Sequence, residues 1–176
     1  LKLPAGPVAV LADDLPAVPL KADGEDIPLD VIYEDDVLLV INKPAGMVVH
    51  PAAGNWHGTV VNAVLGREPA LDDEDFDAMR PGIVHRIDRD TSGLVVVARN
   101  SHCQDAMSEQ MKKNQVEKTY LAIVHGIIAE ESGTVDLPLG RLAEGDVRRA
   151  VRPDGSPSVT HYRVLERFRG YTLVEC

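Results

Sequence analysis

The residues best suited to chemistry lie between positions 80 and 100, in the stretch RPGIVHRIDRDTSGLVVVARN. This stretch places a histidine, arginines, two aspartates, a threonine and a serine between two short apolar runs that read as buried strands. Burying such side chains is costly unless the charges are paired. An aspartate held beside arginines stays ionised and oriented, and an ionised carboxylate can act as a nucleophile or a base. The pattern therefore favours a loop built to hold a carboxylate.

The two aspartates of this loop are interpreted differently. Asp90 begins the sequence Asp-Thr-Ser-Gly, which is good turn chemistry, so we interpret Asp90 as a turn residue. Asp88 lies between two arginines, and residue types alone leave a nucleophile and a turn residue both open. A Ser-His-Asp triad of His85, Asp88 and Ser92 is disfavoured, because the three lie close together in sequence and no G-x-S-x-G is present.

The chain contains no pattern typical of metal or cofactor binding. None of the six histidines forms H-x-x-x-H or H-E-x-x-H, and the two cysteines, Cys103 and Cys176, form no C-x-x-C. The glycines show neither phosphate-loop nor dinucleotide-binding spacing. We therefore expect neither a metal ion nor a cofactor. Two distant cysteines without a disulfide framework favour the cytoplasm.

The distribution of charged residues along the chain indicates which class of partner the protein can bind. The chain of 176 residues has a formal net charge of −10, which alone disfavours a nucleic-acid partner. Its acidic side chains are concentrated in residues 1–36 and 68–77, however, whereas residues 78–176 are close to neutral and contain fourteen Lys or Arg. For the arginines between 141 and 169, phosphate contacts and a solvated surface are both open. No apolar run approaches the ~20 residues that cross a bilayer, so we expect no membrane partner.

Local patterns predict the elements around the loop. Strands outnumber helices without regular alternation, which predicts an α+β fold with a mixed, mostly antiparallel sheet and few flanking helices. One helix is predicted over 59–66, with Thr59 as N-cap and Gly66 as stop, and another over 101–115, capped by Ser101. Residues 1–25 read as a linker or tail. The predicted strands are 31–33, 37–41, 47–50, 94–98, 117–126, 159–168 and 171–176.

Several motifs resemble those of one enzyme family. The segment HRIDRDTSGLVVVA resembles the signature H-R-L-D-x-x-T-S/T-G of the RluA/RluD-type pseudouridine synthases, with Ile87 in place of the usual leucine. The segments INKPAGMVVHPAAGN, VEKTYLAIVHG and GSPSVTHYRVLERF resemble further family segments, in the same order. The likeness covers roughly residues 26–176 and is strongest to the RluD subgroup, which modifies large-subunit ribosomal RNA. It implies the pseudouridine synthase catalytic-domain fold, an RNA partner and no cofactor.

The resemblance also implies roles for individual residues. Asp88 matches the catalytic aspartate, which attacks the ribose anomeric carbon or abstracts a ribose proton and so frees the uracil, and the base then rejoins through its ring carbon five. Tyr120 matches the tyrosine that lies against the target base, and Arg86 the arginine that enters the RNA stack as the uridine is extruded. His85 and Thr91 are expected to hold the loop or touch phosphate. Lys43 is expected to contact the RNA backbone, with a solvated turn as the alternative.

The likeness also raises expectations about the ends of the chain. A third family motif, similar to T-G-R-T-H-Q-I-R, is expected directly after YTLVEC, so the catalytic domain at 26–176 is interpreted as C-terminally incomplete. Residues 1–25 are interpreted as a linker or the tail of a missing N-terminal RNA-binding domain. We expect a monomer. Three functions remain as alternatives: the same chemistry on transfer RNA or another ribosomal site, a non-catalytic RNA-binding module, and a carboxylate-based glycoside hydrolase.

Overall fold

The computed structural model describes residues 21–71, 75–143, 146 and 148–176. The chain divides into two compact units, the first ending at Val116 and the second covering Glu117–Cys176. Within the described residues there are nine strands, all antiparallel to their partners, and two α-helices. This confirms the predicted α+β class. No helix in this part of the chain is long and apolar enough to span a membrane.

The first unit is built on a three-stranded sheet in the order β1-β2-β3. Its strands are β1 (Val31–Glu34), β2 (Leu38–Lys43) and β3 (Gly93–Ala98), and its helices are α1 (Val60–Arg67) and α2 (Ser101–Lys112), with a short 3-10 turn at Pro69–Leu71. The predicted strands at 31–33, 37–41 and 94–98 are confirmed with shifts of one or two residues at their ends. Residues 44 to 92 connect β2 to β3 and contain the candidate loop.

One face of this sheet forms the core. Leu39 lies opposite Val97 and Ile41 opposite Val95, and all four are at most 1% exposed. They belong to one apolar cluster with the buried side chains of α1. Burying a side chain of this size contributes about 1.5–3 kcal/mol relative to leaving it exposed. The packed core therefore holds in place the two strands between which the β2–β3 connection runs.

The start of α1 is fixed by local and distant contacts. Thr59 caps the helix as predicted, and Asn62 completes a capping box with it. The predicted strand at 47–50 is wrong. Its carbonyl groups instead accept hydrogen bonds from the first N–H groups of the helix, Val60 N to Val48 O at 2.9 Å and Val61 N to Val49 O at 3.0 Å. Helix-start N–H groups have no partner within the helix, so the preceding segment satisfies them and forms no sheet.

Two helix-end predictions are corrected. Gly66 does not stop α1, because the helix continues to Arg67 and its C-cap is Glu68. A side chain at Gly66 would overlap the Glu25 carbonyl oxygen, so this glycine permits a close approach between segments. The N-cap of α2 is Asn100, not Ser101, since the Asn100 side chain accepts the Cys103 N–H at 2.8 Å.

The expected boundary at residue 26 lies inside a packed segment. Ala22 is 4% exposed and donates its N–H to Ala78 O at 3.0 Å, and Glu25 donates its N–H to Asn62 O on α1 at 2.8 Å. Residues 22–25 are therefore part of the first unit and not a linker. Residues 1–20 lie outside the described part of the chain.

The second unit contains the remaining strands. Its main sheet has the order β4-β9-β8-β5, and β6 and β7 form a separate two-stranded hairpin. The predicted turn at Gly170 joins β8 to β9 with a φ of +84°, which favours glycine. Val164, Thr172 and Val174 are its most buried side chains. The strands are β4 (Leu121–His125), β5 (Ser132–Asp136), β6 (Leu139–Arg141), β7 (Arg149–Val151), β8 (Val159–Phe168) and β9 (Tyr171–Glu175).

Candidate functional site

The candidate loop, residues 85–92, is anchored by one apolar side chain. Ile87 is 8% exposed and belongs to the core cluster of the first unit. Its neighbours Arg86 and Asp88 are both exposed. Because successive side chains of an extended segment point in opposite directions, burying Ile87 turns the guanidinium and the carboxylate on either side of it outward. The loop thus presents a cation and an anion side by side to an incoming ligand.

The base of the loop is tied to the turn after β2 through one carbonyl group. Arg89 O accepts hydrogen bonds from Gly46 N at 2.8 Å and from Lys43 Nζ at 2.9 Å. In return, Arg89 Nε donates to Gly46 O at 3.1 Å. Gly46 has a φ of +88°, a conformation that other residues rarely adopt. The turn therefore holds the backbone one residue beyond Asp88.

Lys43 is the most buried charged residue of this arrangement. It is 0% exposed, and its ammonium donates to Pro44 O at 3.0 Å, Met47 O at 2.8 Å and Arg89 O at 2.9 Å. An ammonium has three N–H donors, so none remains for a phosphate. Burial lowers the pKa of Lys43, while the nearby Asp90 and Asp88 carboxylates oppose that shift. The alternative of a solvated turn is therefore wrong, whereas the expected RNA-backbone contact of Lys43 stays a prediction that these three hydrogen bonds disfavour.

His85 and Thr91 occupy the two ends of the loop. His85 Nε2 accepts the backbone N–H of Val96 on β3 at 2.9 Å. A ring nitrogen that accepts a hydrogen bond carries no proton, so this contact assigns the proton of the neutral ring to Nδ1. Thr91 N donates to Asp88 O at 3.2 Å, which closes a turn. The His85 side chain thus ties the start of the loop to β3, whereas Thr91 contributes through its backbone, and the expectation that these residues hold the loop or touch phosphate stays a prediction.

His50 is a feature of this region that the sequence reasoning missed. It is 8% exposed, and its Nδ1 atom is buried without a hydrogen-bond partner among the described residues. Burial lowers the pKa of His50, the Arg80 and Arg86 guanidinium groups lower it further, and Asp77 opposes them. The only sequence signal is a histidine directly after the apolar run MVV. A neutral histidine therefore lies within the electrostatic reach of the exposed Arg86.

We expect His50 to make the free energy of unfolding depend on pH. Its lowered folded-state pKa means that the unfolded chain takes up a proton first as the pH falls. The stability that neutral His50 provides is therefore complete above pH ~6.5 and is lost as the pH falls through the folded-state pKa. The loss is about 1.4 kcal/mol for each unit by which the folded-state pKa of His50 lies below its unfolded-state pKa. Urea unfolding at about pH 7.5 and pH 5.5 should show a smaller loss for His50→Gln than for wild type. Equal losses would contradict the assignment, and His102→Gln, on the exposed side of α2, is the control.

Tyr120 lies in the second unit, directly before β4. Its N–H donates to Cys176 O at 2.9 Å and its carbonyl accepts the Cys176 N–H at 2.8 Å, so it extends the β4–β9 pairing. The tyrosine is 41% exposed. It lines a cavity of about 570 Å³ whose other walls include Lys118, Tyr162 and Arg163. The predicted site residues are therefore distributed over both units, with Arg86, His85, Thr91 and Asp88 on one loop.

The described residues contain no group of three or more His, Cys, Asp or Glu side chains placed to hold a metal ion. Asp88 and Asp90 are both exposed on the same short loop. The loop thus offers two exposed carboxylates for nucleophilic or base chemistry, and Asp88 is the one that lies between Arg86 and the backbone clamp at Arg89.

Comparisons with known proteins identify a family for this arrangement. The sequence matches the model of a family described as RNA pseudouridylate synthase over residues 37–176. The ribosomal large subunit pseudouridine synthase D of Xanthomonas campestris pv. campestris is 51% identical over 152 residues, which cover 86% of this chain and 44% of that protein. Its counterpart in Xylella fastidiosa is 48% identical over 162 residues, covering 92% of this chain and 47% of that protein. The chain thus spans about half the length of these relatives.

A solved structure shares the fold. The human RNA pseudouridylate synthase domain containing 1 matches with a TM-score of 0.66 and 24% sequence identity, over 86% of this chain and 60% of that one. At this level of identity the likeness shows the fold alone. It confirms the expected catalytic-domain fold.

Proposed function

Because this chain belongs to the RNA pseudouridylate synthase family, we propose that it is the catalytic part of an enzyme that isomerises uridine to pseudouridine, with large-subunit ribosomal RNA as the substrate. The observation that carries the proposal is the exposed Asp88 on a loop anchored by Ile87 and clamped at Arg89. The relatives named for the large ribosomal subunit support the choice of RNA.

In this proposal Asp88 starts the reaction. It attacks the ribose anomeric carbon or abstracts a ribose proton, and in either case the bond from that carbon to ring nitrogen one of uracil breaks. The freed base turns within the site, and ring carbon five bonds to the anomeric carbon. In the attack route the bond from Asp88 to that carbon breaks as the new bond forms, and in the abstraction route Asp88 returns the ribose proton. Carbon five then loses its proton and nitrogen one gains one. No atom is added or removed overall, so the step needs no redox partner. An exposed carboxylate on an anchored loop is suited to this role, because it can meet a ribose that approaches from solution.

The target nucleotide must leave the RNA stack before Asp88 can reach its ribose. We assign Arg86 to the vacated position in the stack, since its exposed guanidinium lies beside Asp88 on the outward side of the loop and can stack on neighbouring bases. Tyr120 is assigned to the target base, supported by its exposure and by the cavity that it lines. His85 and Thr91 are assigned to holding the loop. We place the enzyme in the cytoplasm as a monomer.

The test uses the full-length protein that carries this sequence. It is incubated with an unmodified large-subunit ribosomal RNA transcript and, separately, with unmodified transfer RNA, and pseudouridines are mapped at nucleotide resolution. We expect conversion at discrete positions of the ribosomal transcript. Pseudouridine in transfer RNA alone would show that transfer RNA, and not ribosomal RNA, is the substrate. Binding of both RNAs without pseudouridine formation would indicate a non-catalytic RNA-binding module. Release of free uracil would indicate a hydrolase.

A further inference from the structure

The hairpin formed by β6 and β7 places two arginines directly opposite each other. The pairing register joins Arg141 to Arg149, with Leu139 opposite Val151 two residues away. Partners in register, and residues two apart, share one face of a two-stranded ribbon. Like charges in opposite positions destabilise a sheet. The repulsion between Arg141 and Arg149 therefore lowers the stability of the hairpin, and the pairing of its two strands does not depend on these charges.

The other two arginines of this region are neutralised locally. Arg148 donates to Asp146 through Nη2 at 2.7 Å, and Arg152 makes a two-pronged pair with Asp154 at 2.8 and 2.9 Å. Arg141 and Arg149, in contrast, form no ion pair with any residue that the structure describes. Among the residues that the structure describes, Arg141 and Arg149 therefore face each other without an acidic partner, whereas Arg148 and Arg152 each have one.

The backbone beneath the pair is held in place. Arg152 Nη1 donates to Arg141 O at 3.3 Å, and Leu139 exchanges two hydrogen bonds of 2.9 Å with Ser156. A side chain at Gly155 would overlap the backbone of Leu139, so the turn that follows β7 packs closely against the hairpin. The two exposed guanidinium groups therefore project from a fixed base, which lowers the entropy lost when a ligand is bound.

We propose that Arg141 and Arg149 together bind one phosphate of the RNA backbone, on the β6–β7 hairpin of the second unit. This inference rests on the proposed function, because RNA is taken as the ligand. Two guanidinium forks match the oxygens of a phosphate, and its negative charge relieves the repulsion between them. The exposed Leu139 and Val151 flank the pair and face the sugars of the adjoining nucleotides. The contact is independent of base sequence and adds affinity to any RNA that presents its backbone there.

The chain offers a matched pair of variants for the test. Arg149→Gln and Arg148→Gln remove the same charge from neighbouring positions, but of the two only Arg148 forms an ion pair with a described residue. Binding of the full-length protein to the large-subunit transcript is measured over a range of KCl concentrations. We expect Arg149→Gln, and likewise Arg141→Gln, to weaken binding about tenfold and to lower the slope of log affinity against log salt by about 0.7 to 0.9. Arg148→Gln should change affinity by less than about twofold.

A charge reversal separates binding from folding. Arg149→Glu creates an opposite-charge pair with Arg141, so the melting temperature should stay the same or rise while RNA affinity falls. Equal weakening by Arg148→Gln and Arg149→Gln would overturn the phosphate site, because the effect would then be general attraction. Variants that alter self-association in sedimentation, but not RNA binding, would make the face an interface between copies and also overturn it. Pseudouridine formation by wild type is scored separately, so loss of the proposed function is distinguished from loss of this site.

Discussion

An Asp88→Asn variant is expected to form no detectable pseudouridine, with a rate at least about 10⁴-fold below wild type, while still binding the ribosomal transcript. The amide has nearly the shape of the carboxylate but is neither a nucleophile nor a base at neutral pH. Asp88 is exposed, and the turn residue Asp90 is the other exposed carboxylate of the same loop. The measurement is single-turnover conversion of the transcript, combined with a binding assay on the same protein preparation.

Asp90→Asn is the matched control for this prediction. Asp90 is exposed, lies on the same loop and loses the same charge, so a purely electrostatic contribution would affect both variants alike. We expect Asp90→Asn to retain activity within about tenfold of wild type. If Asp88→Asn keeps its activity and Asp90→Asn loses it, the nucleophile has been assigned to the wrong residue. Inactivity of wild type together with both variants would remove the enzyme proposal itself.

A Lys43→Met variant is expected to lose about 3 kcal/mol of unfolding free energy, although methionine nearly matches the length of the lysine side chain. The substitution removes the three hydrogen bonds from the ammonium to Pro44 O, Met47 O and Arg89 O. Hydrogen bonds from a charged donor contribute more than neutral ones, and buried carbonyls without partners are costly. Urea unfolding followed by circular dichroism measures the change.

Lys43→Met also tests how far the reactivity of Asp88 depends on the hydrogen bonds that hold the adjacent backbone at Arg89. Arg89 O keeps its hydrogen bond from Gly46 N but loses the one from Lys43, so the backbone next to Asp88 becomes less constrained. A displacement of about 1 Å at a reacting group can cost on the order of 100-fold in rate, so kcat should fall more than the RNA affinity. Lys112→Met, in the exposed last turn of α2, should change neither quantity. Normal stability with weakened RNA affinity for Lys43→Met would restore the phosphate contact first expected for Lys43.

Local sequence patterns were sufficient for most of the architecture. Alternating apolar residues and glycine turns predicted β8, β9 and the turn at Gly170, because a hairpin of neighbouring strands depends on residues close together in the chain. Thr59 was predicted as an N-cap for the same reason, since its hydrogen-bond partner lies three residues away. The family motifs identified the loop around Asp88, and they remain the source of the roles assigned to it.

Tertiary contacts decided the features that local patterns misassigned or missed. The local pattern at Lys43 favours an RNA contact or a solvated turn, whereas its ammonium is in fact held by the carbonyl of Arg89, which lies 46 residues further along the chain. A glycine is needed at position 66, inside α1, because the Glu25 carbonyl group packs against it. Residues 47–50 hydrogen-bond to the start of α1 instead of forming a strand. His50 stood out only once its buried Nδ1 atom could be placed. By itself the sequence determined the fold class, most of the strands and the residues gathered on the loop. Which side chains support that loop was decided only by segments distant in sequence, since burial and hydrogen bonding depend on what packs against each residue.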